Sequence, residues 1–262
     1  MVRKKFNRAE LEAIGIERAR QIRERYNLGI DPINNVFDII EQEGIILLRY
    51  PSNHQRLHAF FGKIKNRYVV YINSNEPLGR QNFSGAHELC HYFFDRKEME
   101  NIFLCDPGNL YVSDEREIIA DAFASEFLMP KEGLERVFTA LFGRPNRITA
   151  KHVIIMQNKF RVSYAAMLYA LYKAGIITSG KIYGRLKKVG SIENEEILKN
   201  LSIKYAKSIE LLEKTPPKCS PIFLEAITHN FEKGLISFAK FESLLSLLNL
   251  KPEDLGYSRH EI

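Results

Sequence analysis

Ser84-Gly-Ala-His-Glu-Leu-Cys-His-Tyr-Phe-Phe-Asp95 carries the pattern H-E-x-x-H in His87, Glu88 and His91. On a helix, residues four apart lie one above the other on the same face, so both imidazoles can reach a single metal ion. Glu88 sits about a third of a turn round, close enough to meet a water on that metal but poorly placed to be a ligand. Ala86, Leu89, Cys90 and Phe93 form an apolar stripe on the opposite side, as a half-buried helix requires. Two neutral nitrogens for zinc, with a carboxylate beside them to take a proton from water, is the arrangement that metal-assisted hydrolysis needs.

Catalytic zinc takes three protein ligands and leaves the fourth position for water. A compact continuation, with a glycine and then a third histidine just beyond the motif, is absent: those positions hold Phe94 and Lys97. The better source of a third ligand is the segment Ser113-Asp-Glu-Arg-Glu-Ile-Ile-Ala-Asp-Ala-Phe-Ala-Ser-Glu-Phe-Leu-Met-Pro130. Ser113 can cap its start, acids fill its first turn and Pro130 stops it, which predicts a helix. Glu117 and Asp121 are four apart on one face, while Ile118, Ala122 and Phe123 point elsewhere. Glu117 is therefore the expected third ligand, with Glu115 as the neighbouring alternative. Asp121 is expected to accept the free N–H of a zinc-bound histidine and so fix its tautomer.

Ala86-His-Glu-Leu-Cys-His91, followed by Glu117-Ile-Ile-Ala-Asp-Ala-Phe-Ala-Ser-Glu-Phe-Leu-Met-Pro130, resembles the ImmA/IrrE family of metallopeptidases over roughly residues 10–178. The resemblance implies a small zincin-type fold with one Zn2+ per chain, and intracellular cleavage of helix-turn-helix transcriptional repressors. It places His87, His91 and Glu117 as zinc ligands and Glu88 as general base. Cys90 departs from the family pattern, standing where glycine is frequent, which bears on helix packing and not on the chemistry.

The chain has 262 residues, a formal net charge of +6 and an ordinary globular composition, so it can hold one large or two modest domains with a real core. The positive balance permits an acidic or nucleic-acid partner without requiring one. Cys90, Cys105 and Cys219 are too few and too scattered for a disulfide framework and fit a reducing cytoplasm. The basic N-terminus is not followed by an apolar stretch of signal-peptide type, and no run approaches bilayer length, so neither export nor a membrane is expected.

Periodicity predicts an amphipathic helix over 8–27, a second helix opened by Asp31-Pro32 and closed at Gly44, and three strands at 45–50, 57–64 and 68–73. The motif helix follows from Pro77, and a loop near 97–113 is expected to rim the cleft. Residues 149–177 read as two helices around a turn at 160–162, a helix-turn-helix-like spacing. A helix that reads DNA directs Arg, Lys, Asn or Gln at base edges. Tyr164-Ala-Ala-Met-Leu-Tyr-Ala-Leu-Tyr-Lys173 offers a single cation, so it reads as a packing helix and direct DNA binding is not expected. The rest is helical, about 192–214, 222–233 and 237–249, with a Pro-rich joint at 215–221 that suggests a hinge.

The expected architecture is α+β: a minimal zincin-like metallopeptidase domain over 1–142, a helix-turn-helix-like helical segment over 143–185 and a helical C-terminal extension over 186–262. Its core comprises N-terminal helices, a small three-stranded sheet, the H-E-x-x-H helix and the glutamate helix. The expected activity is that of a zinc metalloendopeptidase acting on a protein substrate, with a DNA- or protein-binding regulator carrying a non-catalytic metal site as the alternative. Tyr111 and His58 are the candidate oxyanion donors. Phe60, Phe61 and Gly62 belong to a strand that contains a glycine and suits the approach of another backbone, so substrate is expected to add there as a further strand.

Overall fold

The computed structural model describes residues 6–54, 56–97 and 114–258. Asn7 and Glu10 open the first helix, α1 (Arg8–Arg25), reciprocally: the Asn7 side chain accepts the N–H of Glu10, and the Glu10 carboxylate accepts the N–H of Asn7. Its inner face buries Leu11, Ala19 and Ile22, as the periodicity predicts, together with Arg23. Arg23 corrects the expectation for the next segment. Its guanidinium donates to the carbonyls of Gly29 and Asp31, and across the fold to that of Phe127. Those loop carbonyls are thereby held outside any helix. The second helix, α2 (Val36–Gln42), consequently starts later than Asp31-Pro32 suggests, on an Asn35 cap that accepts the N–H of Phe37.

Three strands follow: β1 (Ile46–Tyr50), β2 (Ala59–Ile64) and β3 (Arg67–Asn73). β2 and β3 form an antiparallel hairpin, β1 pairs parallel to β3, and the order β2-β3-β1 leaves β2 on an open edge. Leu47, Phe61, Val70 and Ile72 bury one face of this sheet. Two further helices define the site: α3 (Leu78–Cys90), prolonged by one π-helical turn over His91–Asp95, and α4 (Asp114–Leu128). Ser113 and most of the expected rim loop lie outside the described residues. Cys90 is fully buried and burial pushes its thiol up to about 12, so it serves as packing.

α4 lies against both α1 and α3. The approach to α1 is possible because position 15 has no side chain: a Cβ on Gly15 would stand 2.3 Å from the Ile119 carbonyl oxygen. Phe123 and Phe127 stack at 5.2 Å in the core behind this contact. After Pro130 come α5 (Lys131–Phe142), α6 (Ala150–Phe160) and α7 (Tyr164–Lys173). Arg161 adopts the left-handed conformation between the last two, and Ser163 caps α7 by accepting the N–H of Ala166. Gly79 on α3 touches this turn; a Cβ there would lie 2.8 Å from Val162 and Ser163 backbone atoms. The helix-turn-helix-like pair is thus locked onto the motif helix.

Beyond Gly175 the chain departs from the expected pattern in three places. A helix, α8 (Gly180–Val189), capped by Ser179, occupies a stretch with no assigned element. The segment 192–214 is interrupted, with only α9 (Glu195–Ala206) as regular helix before the left-handed Lys207. The proline-rich joint is not a free hinge. Its Lys218–Cys219 forms β4, antiparallel to β1, so the sheet has four strands in the order β2-β3-β1-β4. Ser220 N–H donates to the Leu47 carbonyl and Leu47 N–H to Ser220 Oγ, while Leu78 N–H donates to the Glu213 carbonyl. The outer edge of β1 has backbone groups that need partners, and this joint supplies them. The terminal helices α10 (Pro221–Glu232) and α11 (Phe238–Ser246) enclose a small core of their own around Ile227, Phe241 and Leu245. Among the described residues, no helix is long and apolar enough to cross a membrane.

Replacing Gly15 by valine is expected to destabilise the protein by about 2–3 kcal/mol in urea unfolding, through overpacking at the α1–α4 crossing. Gly184→Ala, where open space surrounds the exposed helix position, is expected to stabilise by about 0.5–1 kcal/mol. Equal effects from the two substitutions would show that the crossing tolerates a side chain.

Candidate metal centre

α3 turns His87 and His91 towards α4, one helical turn apart, and α4 presents Glu117 to both. The two Nε2 atoms are 3.1 Å apart; Glu117 lies 3.2 Å from His87 Nε2 through Oε2 and 3.5 Å from His91 Nε2 through Oε1. Ligands about 2.0–2.1 Å from a tetrahedral zinc stand roughly 3.3–3.4 Å from one another. The three donors match that spacing, and the described His/Cys/Asp/Glu side chains form no other such cluster. Glu115, the neighbouring alternative, is exposed and outside it.

The outer nitrogens explain why the inner ones are free to bind. His87 Nδ1 donates to Asp121 Oδ1 at 3.0 Å, and His91 Nδ1 to Asp95 Oδ2 at 2.7 Å. With Nδ1 of each ring committed as a donor, the two Nε2 atoms converge on Glu117, so loss of their protons leaves two lone pairs aimed at one metal ion. Asp95 is a site residue that the H-E-x-x-H pattern does not include. Its signal was present as a second four-residue spacing, His91 to Asp95, directly after the motif. Arg18 reaches it from α1, with Nη1 4.0 Å from Asp95 Oδ1 and the guanidinium 4.6 Å over the Phe94 ring. A chain of contacts therefore runs from α1 through Asp95 to His91.

Charge is concentrated here. Burial acts to lower the pKa values of both histidines, but it is outweighed by hydrogen bonds, from Asp121 and Glu117 on His87 and from Asp95 and Glu117 on His91. Those pKa values are raised to about 10 and about 9 respectively. The same imidazoles hold the Glu117 carboxyl well below the usual carboxylate range. Glu88 differs: it is 6 % exposed, and desolvation pushes its carboxyl up despite the nearby histidines and a backbone hydrogen bond with Phe61.

The centre opens into a cleft of about 530 Å³ lined by His58, Ala59, Phe83, Ser163 and Ala166, among others. His58 is exposed at this cleft, its Nδ1 2.6 Å from Glu76 Oε1. Tyr111, the other oxyanion candidate, lies outside the described residues. In β2 the register and the bond from Asn73 N–H to the His58 carbonyl fix the alternation: Phe60 and Gly62 direct their backbone groups to β3, and Phe61 directs its own outward. The outward set includes the N–H that meets Glu88. Phe60 stacks on Tyr71 at 5.1 Å, and Phe61 on Tyr68 at 5.6 Å.

These protonation states predict an opposite pH response with and without metal. Both histidine pKa values are raised in the folded chain relative to about 6.5 when unfolded. Their contribution to the stability of the metal-free protein is thus complete below about pH 6.5. It is lost as pH rises through about 9 to about 10. Zinc displaces those protons, so its affinity should increase across the same window. Melting temperatures measured from pH 6 to about pH 10 should fall for the metal-free protein relative to the zinc-loaded protein. Asp95→Asn should weaken zinc binding by about 10–100-fold in a chelator competition; unchanged affinity would assign Asp95 to packing alone.

The chain matches the family model described as the IrrE N-terminal-like domain over residues 40–172. That span runs from the end of α2 through the metal cluster to α7, so it includes the helix-turn-helix-like pair. Metallopeptidase ImmA of Bacillus subtilis (strain 168) is 29 % identical over 110 residues, covering 42 % of this chain. The matched region spans 63 % of that relative's length. With the model covering half of the chain and its zinc-binding geometry on facing helices, the protein belongs to the ImmA/IrrE family of metallopeptidase domains.

Proposed function

We propose that this protein is a zinc-dependent endopeptidase of intracellular protein substrates. The observation that carries the reading is Glu88, a buried carboxylate beside three convergent metal donors and outside the ligand set. Packing alone gives no reason to hide a carboxylate there, since desolvation disfavours its charged form. When bound, zinc would polarise the scissile carbonyl and lower the pKa of a water enough to make it a nucleophile near neutrality. His87, His91 and Glu117 hold the metal; Asp121 and Asp95 orient the histidines. Glu88 takes the proton as the water oxygen bonds to the carbonyl carbon, then passes it to the amine nitrogen as the C–N bond breaks. His58 is the oxyanion donor carried forward, and the outward backbone of β2 at Phe61 is the edge for an extended substrate segment.

Support for a protein substrate rather than DNA comes from α7. Tyr164, Met167, Leu168 and Leu171 are buried, and Ser163 and Ala166 line the metal cleft. The helix that would enter a DNA groove serves here as a wall of the cleft. The relative named ImmA is a metallopeptidase. The substrate class we carry forward is a helix-turn-helix repressor, cut so that DNA binding is separated from dimerisation, in the cytoplasm.

Wild type and Glu88→Gln, each loaded with zinc, should be incubated with candidate helix-turn-helix repressors and co-expressed with them. Wild type should give a shortened repressor and an induced promoter, in a chelator-sensitive manner. Glu88→Gln should retain about one zinc per chain and lose at least about 10²–10⁴-fold in rate. Induction that persists in Glu88→Gln would exclude proteolysis as its cause. A proline at Phe61, which removes the N–H that meets Glu88 along with the strand edge, should impair cleavage more than zinc binding, whereas equal loss of both would indicate misfolding.

A further inference from the structure

A second groove, of about 570 Å³, adjoins the metal cleft and shares Phe83, Asp121 and Ala166 with it. Helices wall it: Ile16 comes from α1, Phe83 from α3, Ile118 from α4, Leu134 from α5, and Tyr169 and Ala170 from α7, with Met129 just past the end of α4. From Ile118 to Met129, whose N–H closes the last turn of α4 on the Ser125 carbonyl, this wall runs about 16 Å, or three helical turns. Tyr169 is 48 % exposed at its rim, an aromatic ring left half in solvent. Polar groups stand at the margins, where Lys173 on α7 pairs with Glu12 on α1 at 3.5 Å.

The walls limit what can lie there. The groove is walled by helices, whose interior backbone groups are bonded within each helix, so it offers side chains and no strand edge. An extended peptide would bury unpaired N–H and C=O groups against it. A helix satisfies those groups internally and brings an apolar face. The open strand edge of this region belongs instead to β2. We infer that the groove between α1, α4 and α7 receives an amphipathic helix of the protein substrate, adjoining the extended segment that crosses the metal. This rests on the endopeptidase reading and adds a requirement to it: the scissile segment is flanked by a helix of about three turns.

The test measures binding, so it does not depend on turnover. A fluorescein-labelled, stapled amphipathic helix of about three turns, with leucines along one face, is titrated against the full-length zinc-loaded chain by fluorescence anisotropy. The comparison probe has the same composition with a central proline and no staple. Wild type and Glu88→Gln should bind the stapled helix equally. The interrupted probe should bind at least about tenfold more weakly, and Tyr169→Glu, or Ala174→Arg at the end of the same wall, should weaken stapled-helix binding by at least about tenfold. Zinc content and melting temperature of these variants should stay at wild-type values, which separates loss of the groove from loss of the fold. Absence of binding, equal binding of both probes, or undiminished binding by both groove variants would overturn the inference. So would a wild-type dimer in light scattering that Tyr169→Glu dissociates, since the groove would then hold a second copy. If Glu88→Gln cleaves as wild type does while helix binding behaves as expected, the proteolytic reading fails and the groove stands.

Discussion

The metal cluster depends on holding α4 against α3, because its three donors come from two helices separated by a long stretch of chain. Nothing local places Glu117 3.2 Å from His87. α4 is held from behind by α1, whose Gly15 admits the Ile119 carbonyl into the space a side chain would fill. It is held at its end by Arg23, which donates to the Phe127 carbonyl, and from within by Phe123 and Phe127. One helix therefore carries Glu117 of the metal cluster, the Asp121 carboxylate bonded to His87, and a large part of the core. Its position is over-determined, as the precision of a metal site demands.

Around that frame the electrostatics are arranged for a dication. Glu117, Asp121 and Asp95 contact the two imidazoles directly, and Glu88 is buried beside them. Gathering carboxylates in a partly desolvated pocket is costly unless positive charge is supplied. Protons on the histidines meet that need in the metal-free chain, and zinc takes it over by displacing them. The raised pKa of Glu88 follows from the same burial.

Two segments that look like separate modules are built into the body of the protein. The helix-turn-helix-like pair is fixed to α3 at Gly79 and turns α7 towards the metal cleft. The proline-rich stretch that resembles a hinge becomes the last strand of the sheet, bonded to β1 and to the start of α3. Local pattern is read correctly in both cases, two helices about a turn and a break in helix. Only the packing decides that the first forms a wall and the second a tether.

Spacing along one helix and cap chemistry can be read without knowing the fold. His87 and His91 had to share a face, Glu117 and Asp121 had to share another, and Pro130 had to end the second helix. Side-chain direction in a helix repeats every three to four residues and needs no knowledge of the rest of the chain. The apolar face of α1 was legible for the same reason, and the turn between α6 and α7 from the break in that repeat. The tertiary structure decided everything whose partner is remote. Arg23 moved the start of α2 by capturing carbonyls at Gly29 and Asp31, and the free edge of β1 drew in Lys218–Cys219 from the far end of the chain. Asp95 acquired its role only when His91 turned Nε2 towards Glu117 and left Nδ1 to be satisfied. Which backbone and side-chain groups remain unpaired is a property of the assembled fold, and that is the information a local periodicity does not contain.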